Sequence, residues 1–275
     1  MYLRKKGDLM NNLIYLVEGK YLNIVFDVEY QDLILNRMIS FQNCKSNKID
    51  AILKITKDEL SFKMYDKQIY KYLDKIDKND LFVVINNAIS YLCDTDYKIY
   101  IHSCVVSDGK NGCLILGDFG SGKTTLALEC KKNGMEINSA DQTFLELDNN
   151  KIIMIKGSKN LVFQNQNELL SDKETNKRIN IKKIIFCIGL CYNGDVSFNK
   201  ITQERYFIKK MFDRSSFHFK FPLITNNEFL PSRYKENINF IKNIAKNNNV
   251  SIFTVRGDPN NISKFILKKL GSDKR

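Results

Sequence analysis

Several features are scarce in this chain of 275 residues, and each scarcity excludes a class of protein. Only three prolines accompany a hydrophobic content of 43%, which is typical of a globular chain and argues against disorder. No apolar run approaches the ~20 residues of a membrane-spanning helix. The first residues lead into no apolar core of signal-peptide type. The sequence therefore predicts a soluble, cytoplasmic protein without membrane contact.

The cysteines lack the spacing that metal ligands need. They are odd in number, no pair has zinc-ligand spacing, and most lie inside apolar runs, where a thiol acts as a small core side chain. They are Cys44, Cys93, Cys104, Cys113, Cys130, Cys187 and Cys191. We therefore predict no zinc site.

Acidic residues are outnumbered by basic ones, 31 against 43, which gives a formal net charge of +12. The basic side chains are scattered along the chain rather than gathered in one block. Their surplus suits anionic ligands, but no recognisable nucleic-acid-binding module accompanies it. We therefore expect an anionic ligand other than nucleic acid.

Apolar and alternating segments indicate an α/β protein. The first hundred residues contain β-like segments at 21–28 and 52–55 and a helix at 81–92, but no motif that indicates chemistry. The following segments predict strands at 98–106, 112–116, 135–137, 143–147, 152–155, 183–190 and 251–255, and helices at 124–133, 203–213 and from Pro259 onward. Strand 98–106 would place Tyr100, His102 and Cys104 on one face. We predict a smaller α+β domain at 1–96, for recognition or assembly, and a larger one at 97–275.

One segment satisfies the phosphate-binding pattern G-x-x-x-x-G-K-[ST] at every fixed position. It is Gly117-Asp118-Phe119-Gly120-Ser121-Gly122-Lys123-Thr124. The glycines allow a tight curl in which backbone N–H groups converge on a phosphate, beside the positive end of a helix dipole. A buried strand precedes the segment and a helix follows it, which disfavours the alternative of a simple connecting turn. We predict that these residues and Thr125 bind a nucleotide.

Three side chains near this loop are candidates for chemistry. Lys123 supplies an ammonium group that can follow a transferred phosphoryl group, and the Thr124 hydroxyl can ligate Mg²⁺. Asp141 follows the strand that returns beside the loop, where a second metal-binding carboxylate usually stands. Asp148 competes with it, but the sequence Asp-Asn-Asn is more typical of a turn. We predict Lys123 and Asp141 as catalytic residues, Thr124 and Asp141 as metal ligands, and ATP and Mg²⁺ as cofactors.

The surroundings of the loop resemble the core of the HPr kinase/phosphorylase family. The resemblance is carried by His102-Ser103-Cys104-Val105-Val106, Gly112-Cys113-Leu114-Ile115-Leu116, the loop, Leu126-Ala127-Leu128-Glu129 and the segment from Asn133-Gly134 to Asp141. It is sharp over residues 102–147 and weaker, in element order, at 184–212 and 250–270. It implies an HPr kinase/phosphoenolpyruvate carboxykinase-like P-loop core and ATP-dependent phosphorylation of a hydroxyl, typically serine. Related proteins modify ribosomal-peptide precursors, lasso peptides among them.

The chain matches that family at one further position and departs from it at another. His102 matches a histidine before the loop, which implies a catalytic role in orienting the acceptor hydroxyl or the γ-phosphate; a hydrogen-bonded strand histidine is the alternative. Of the family's two aspartates after the helix, the first position is Ala140 and only Asp141 is acidic. The glycine-arginine-asparagine segment that recognises HPr is not found, so a peptide or small hydroxyl compound is the expected acceptor. Related kinases are multimers, which implies a homo-oligomer.

Other basic residues and other functions stay open. Arg214, Arg233 and Arg256 are candidates for holding an anionic substrate, and His218 lies in an aromatic-basic stretch at 215–222 suited to a peptide. A nucleotide-dependent switch ATPase is one alternative function, although the chain has neither an ABC-type signature nor Asn-Lys-x-Asp. An inert ATP-binding module is the other, motivated by Ala140.

Overall fold

The computed structural model describes residues 10–65, 67–72, 81–118, 120–163, 166–192, 194–215, 223–225, 229–246 and 249–271. The chain divides into two compact units, Met1–Cys93 with Phe217–Tyr234 and Asp94–Ser216 with Lys235–Arg275. Each unit has its own large sheet, and the protein is a mixed α/β structure, as the sequence predicts. Within these residues, no helix combines the length and the apolar character needed to cross a membrane.

Runs of strands are separated by helices along the described residues. In the described residues the strands are β1 (Met10–Val17), β2 (Lys20–Asp27), β3 (Gln42–Cys44), β4 (Ala51–Ile55), β5 (Leu60–Met64), β6 (Lys67–Tyr72), β7 (Lys98–His102), β8 (Cys104–Ser107), β9 (Asn111–Gly117), β10 (Glu136–Ser139), β11 (Gln142–Asp148), β12 (Lys151–Gly157), β13 (Asn160–Phe163), β14 (Gln166–Leu169), β15 (Ile179–Leu190), β16 (Ser197–Lys200), β17 (Leu223–Thr225) and β18 (Ser251–Gly257). The helices are a 3₁₀ turn (Val28–Tyr30), α1 (Gln31–Met38), α2 (Leu81–Cys93), α3 (Lys123–Lys132), α4 (Asp172–Thr175), α5 (Glu204–Ser215), α6 (Phe229–Ala245) and α7 (Pro259–Gly271).

The first unit is a twisted sheet covered by helices. Its strands follow the order β17-β6-β5-β4-β2-β1-β3, with antiparallel pairs except for β2 and β4. Side chains of β2 point alternately to the two faces of the sheet, and Leu22, Ile24 and Phe26 on one face are fully buried. Helix α2 packs near β2 and β4, and all of its residues except Phe82 are buried. The apolar sequence of α2 thus forms the core of this unit.

The second unit is built on a sheet with order β10-β8-β9-β15-β12-β11-β7, to which β18 and β16 are added beside β15. Its central strands β9, β15 and β18 are parallel, so their carboxyl ends meet at one edge. Apolar clusters lie on both faces of the sheet. One includes Leu114 and Leu116 of β9 with residues of α5 and α6, and the other includes Cys113 and Ile115 with residues of α3 and α7. This two-sided burial explains the continuous apolar run of β9.

The two ends of this sheet come together. Strand β7 lies at one end of the strand order and β8 near the other, yet only Ser103 separates them in sequence. Likewise β10 and β11 lie at or near opposite ends and are joined by Ala140 and Asp141. The Ser103 N–H donates to the Asp141 carbonyl oxygen at 2.9 Å and connects the two crossings. The sheet therefore closes on itself at these residues.

Most predicted elements are present, and one prediction is wrong. The hairpin of β11 and β12 turns at Asn149 and Asn150, both with positive φ, and the Asp258 side chain accepts from the Asn261 N–H at the start of α7. Residues 98–106, however, form two strands rather than one, because β7 pairs with β11 while β8 pairs with β9 and β10. The predicted turn at 192–195 includes Asn193, which lies outside the described residues.

Candidate nucleotide-binding site

The glycine-rich loop joins the carboxyl end of β9 to the amino end of α3, and two of its glycines have positive φ. Gly120 has φ +73° and Gly122 has φ +94°, conformations that side chains with a Cβ adopt at a cost. A Cβ at Gly122 would also lie 2.4 Å from Leu190 at the end of β15. A Cβ at Gly117 would lie 2.3 Å from the Ser121 Oγ and 2.7 Å from the Cys187 carbonyl oxygen. The loop is thus packed against β15, which sets its position.

The amino end of α3 faces the loop without a capping side chain. Its N-cap is Gly122, and no side-chain hydrogen bond caps the first turn in the described part of the chain. Uncapped N–H groups and the helix dipole make such an end a site for anions. Lys123 begins the helix, is 7% exposed, and its Nζ donates to the carbonyl oxygens of Gly117 and Asp118 at 3.1 and 3.0 Å. Phe119 lies outside the described residues.

Asp141 is fixed at the point where the sheet closes. Its N–H donates to the Ser158 Oγ at 2.8 Å, and its carbonyl oxygen accepts from the Ser103 N–H. Its carboxylate Oδ1 lies 2.9 Å from the His102 Nε2. The Asp141 side chain is 33% exposed, whereas that of His102 is only 4% exposed. The carboxylate therefore reaches solvent, while the histidine supports it from within.

Ala140 is buried beside that carboxylate. It is 3% exposed and belongs to the apolar cluster that includes Cys104 and Leu126. Its N–H donates to the Ser158 carbonyl oxygen at 3.1 Å, and its own carbonyl oxygen accepts from the Cys104 Sγ at 2.9 Å. The position that is acidic in the family resembled is here part of an apolar wall.

Cys104 brings the loop and Asp141 into one neighbourhood. Burial and, to a smaller extent, the nearby Asp141 carboxylate raise the pKa of its thiol, which is about 12. The Lys123 ammonium and a hydrogen bond with Thr124 act in the opposite direction. Cys104 pairs with Ile115, two residues before the loop, and its Sγ contacts the carbonyl oxygen of Ala140, the residue before Asp141. Cys104 therefore lies between the loop and Asp141.

The residues present fit a nucleotide with Mg²⁺. A Cβ at Gly120 would meet none of the described residues within 4 Å, which leaves room for a ligand on that side of the loop. The Ser121 Oγ is buried, and among the described residues no group hydrogen-bonds it. Thr124 and Asp141 offer the hydroxyl and carboxylate oxygens that Mg²⁺ prefers.

The remaining residues predicted from the sequence are Thr125, three arginines and His218. Thr125 lies on the outer face of α3 and lines a groove there. Arg256 is exposed on β18 opposite Gly189, at the sheet edge that holds the loop. The side chains of Arg214 and Arg233, and all of His218, lie outside what the structure describes.

The sequence did not reveal two residues that contact the site directly but lie far from it in the chain. Ser158 accepts from the N–H groups of Asp141 and Gln142, and the Cys187 Sγ donates to the Ser121 carbonyl oxygen at 3.0 Å. The neighbouring Gly157 is the one local signal, because a Cβ there would lie 2.0 Å from the Asn138 carbonyl oxygen. Nothing in the spacing of Ser158 or Cys187 indicates their partners.

Comparison with known proteins adds a distant structural likeness. No protein-family model matches the sequence. No curated protein matches it as a relative. Among solved structures, the HPr(Ser) kinase/phosphatase from Coxiella burnetii is similar over 63% of this chain and 94% of its own, with 12% sequence identity and a TM-score of 0.33.

Proposed function

We propose that this chain is an ATP-dependent kinase that transfers the γ-phosphoryl group to a hydroxyl, typically of serine, on a peptide or protein. One observation carries the proposal: β8 pairs with β9, which leads into the loop of Lys123 and Thr124, and β8 also contacts the turn of Asp141 through the Cys104 Sγ and the Ser103 N–H. An ammonium, a hydroxyl and a carboxylate are the groups that P-loop enzymes use to hold phosphates and Mg²⁺. The resemblance of residues 102–147 to the HPr kinase family supports the same reaction.

Lys123 and the amino end of α3 would hold the phosphates. Bound Mg²⁺-ATP supplies the phosphoryl group and part of the charge neutralisation that its transfer needs. The Lys123 Nζ now donates to two neutral carbonyl oxygens, and a phosphate oxygen is a stronger, charge-assisted acceptor. On binding, Lys123 would exchange these loop carbonyl oxygens for phosphate oxygens, which its flexible stem allows.

Asp141 would hold the metal, with His102 as its positioning residue. The contact of 2.9 Å from the His102 Nε2 fixes one carboxylate oxygen, and the two backbone hydrogen bonds fix the residue itself. A histidine that is 4% exposed reaches Asp141 rather than a substrate. With Ala140 in place of a second carboxylate, Asp141 is also the acidic group on this turn that can take the acceptor's proton. A loose phosphoryl-transfer transition state depends more on positioning than on such a base.

The acceptor follows from the resemblance alone and extends the proposal. We take it to be a serine hydroxyl of a peptide, with the precursor of a ribosomally made peptide as the first candidate. The net charge of +12 favours an acceptor peptide with acidic residues. Residues 1–96 would then serve recognition or assembly.

Incubation with γ-labelled ATP, Mg²⁺ and a panel of serine-containing precursor peptides tests the proposal. The expected result is a labelled peptide that Lys123→Ala reduces by at least about 100-fold. Lys151→Ala, which removes an exposed lysine at the start of β12, serves as the matched control and should leave transfer unchanged. Undiminished transfer by Lys123→Ala would contradict the proposal.

Binding of ATP without transfer is the second candidate function, and the burial of Ala140 favours it. An apolar wall at this position is compatible with a site that only holds its ligand. Tight binding of Mg²⁺-ATP, with neither peptide labelling nor release of inorganic phosphate, would decide for this candidate. Release of phosphate at a rate independent of any peptide would instead indicate an ATPase.

A further inference from the structure

A groove runs along the outer face of α3, next to the phosphate loop. It has a volume of about 370 Å³ and is lined by Thr125, Leu128, Glu129, Lys131, Lys132, Glu168 and Tyr192. The residues from α3 include positions 125, 128, 129 and 132, which share one face of a helix. The opposite face carries Leu126, Ala127 and Cys130 and packs into the core. The groove is therefore open to solvent as far as the described residues show.

The groove begins where the phosphate site ends. Thr125 is the last residue predicted to bind phosphate and also lines the groove. On the far side, Tyr192 follows two residues after Leu190, the side chain that a Cβ at Gly122 would strike. The N–H of Cys191, between them, donates to the Gly257 carbonyl oxygen at 3.0 Å. The segment that carries Tyr192 is thus attached both to the loop and to the end of β18.

The groove has the chemistry that a nucleobase and ribose need. Tyr192 is 68% exposed, which leaves its ring available for stacking, and Leu128 gives an apolar floor that packs against the core behind it. The rim of the groove holds two ion pairs, Lys131 with Glu168 at 2.6 Å and Lys132 with Glu129 at 2.5 Å. Carboxylate oxygens at these positions can accept from an exocyclic amino group or a ribose hydroxyl. Pockets for small ligands commonly begin at about 300 Å³.

We propose that this groove binds the base and ribose of the nucleoside triphosphate, with the base stacked on Tyr192 above Leu128. The inference rests on the proposed function, because it needs the triphosphate to lie in the glycine-rich loop. It assigns to α3 two tasks: its first turn binds phosphate, and its outer face binds the nucleoside. Tyr192, contributed by the segment after β15, becomes the residue that makes a nucleotide bind more tightly than its phosphates alone.

Calorimetric titration with ATP and with inorganic tripolyphosphate, both with Mg²⁺, separates the two parts of the site. Tyr192→Ala should raise the Kd for ATP about 10-fold and leave the Kd for tripolyphosphate unchanged, because only the base meets the ring. Tyr192→Phe, which keeps the ring, should bind ATP as the unmodified protein does. Tyr97→Ala is the matched control, since Tyr97 is a similarly exposed tyrosine, at 67%, that lies outside the groove.

Each other outcome overturns the inference in a distinguishable way. An unchanged Kd for ATP in Tyr192→Ala, beside a loss of binding in Lys123→Ala, would leave the phosphate site intact and place the base elsewhere. An equal loss for ATP and tripolyphosphate would mean that Tyr192 acts on the loop. A raised KM for the acceptor peptide with an unchanged Kd for ATP would assign the groove to the acceptor. Absence of binding of either ligand to the unmodified protein would overturn the proposed function together with this inference.

Discussion

Two parts of the site lie beside Cys104 and are held in shape by different interactions. The phosphate loop, residues 117–125, is shaped by its own glycines and packs on β15 through Gly117 and Gly122. The carboxylate turn, residues 139–142, is shaped by hydrogen bonds with residues distant in sequence, above all with Ser158, which follows β12. In the proposed function, the loop would bind phosphate through backbone N–H groups, whereas the turn would act through the side chain of Asp141. The difference predicts that ligand binding and phosphoryl transfer can be impaired separately by substitution.

The largest expected effect comes from Asp141→Asn, which changes the turn and spares the loop. The amide keeps the shape of the side chain and the backbone hydrogen bonds, but it removes the charge that would hold Mg²⁺ in the proposed function. We expect peptide phosphorylation to fall roughly 1,000-fold, equivalent to about 4 kcal/mol, while the Kd for ATP changes little. Rapid-quench measurements of transfer, paired with calorimetric titration of ATP, would show this.

His102→Gln tests the positioning role of the histidine. In the proposed function His102 affects transfer only by holding the Asp141 carboxylate in place. Its loss should raise the Mg²⁺ concentration needed for half-maximal transfer, and excess Mg²⁺ should restore part of the rate. A reduced rate that no Mg²⁺ concentration improves would contradict the positioning role.

The next largest effect concerns the apolar wall of the turn. Ala140→Asp would place a carboxyl group in a position that is 3% exposed and surrounded by the cluster of Cys104 and Leu126. Burial of a poorly solvated polar group should lower the free energy of unfolding by about 3 kcal/mol. Urea denaturation measures this, with Ala140→Gly as the control for a backbone effect. Unchanged stability together with faster transfer would show that the wall accommodates a second carboxylate.

The sequence predicts the loop better than the turn for a physical reason. A glycine-rich loop between a buried strand and a helix is determined by neighbours in sequence, so Gly117 to Thr125 could be named residue by residue. The turn depends on closure of the sheet, in which Ser103, Asp141 and Ser158 meet from three separate segments. The same closure explains why residues 98–106, which alternate like one strand, form two. No local pattern encodes which strand ends will meet.

Alanine substitutions of Gly117 and Gly120 separate two reasons for a glycine in the loop. At Gly117 a side chain lacks space, and at Gly120 the backbone has a positive φ. A Cβ at Gly117 meets the Cys187 carbonyl oxygen, which belongs to β15 and has little freedom to move. Gly117→Ala should therefore lower the free energy of unfolding by about 2 kcal/mol. Gly120→Ala meets no neighbour and carries only the cost of its positive φ, about 1 kcal/mol. Thermal unfolding of both variants measures the difference, and equal losses would contradict the packing of the loop on β15.

The smallest expected effect tests Cys104, which lies next to both the loop and the turn. Burial raises the pKa of this thiol from 9.0 to about 12. Between those values the unfolded chain loses the thiol proton while the folded chain keeps it, so the free energy of unfolding falls as the pH rises. The thiol should contribute a fall of at most about 1.4 kcal/mol per pH unit above pH 9 and none well below it.

Urea denaturation at pH 8, 9 and 10 measures that slope. Cys104→Ala should make it shallower, because the variant has no thiol to ionise at this position. An unchanged slope in Cys104→Ala would mean that the Cys104 thiol reaches water in the folded protein, and the contact between loop and turn would then be looser than the structure indicates.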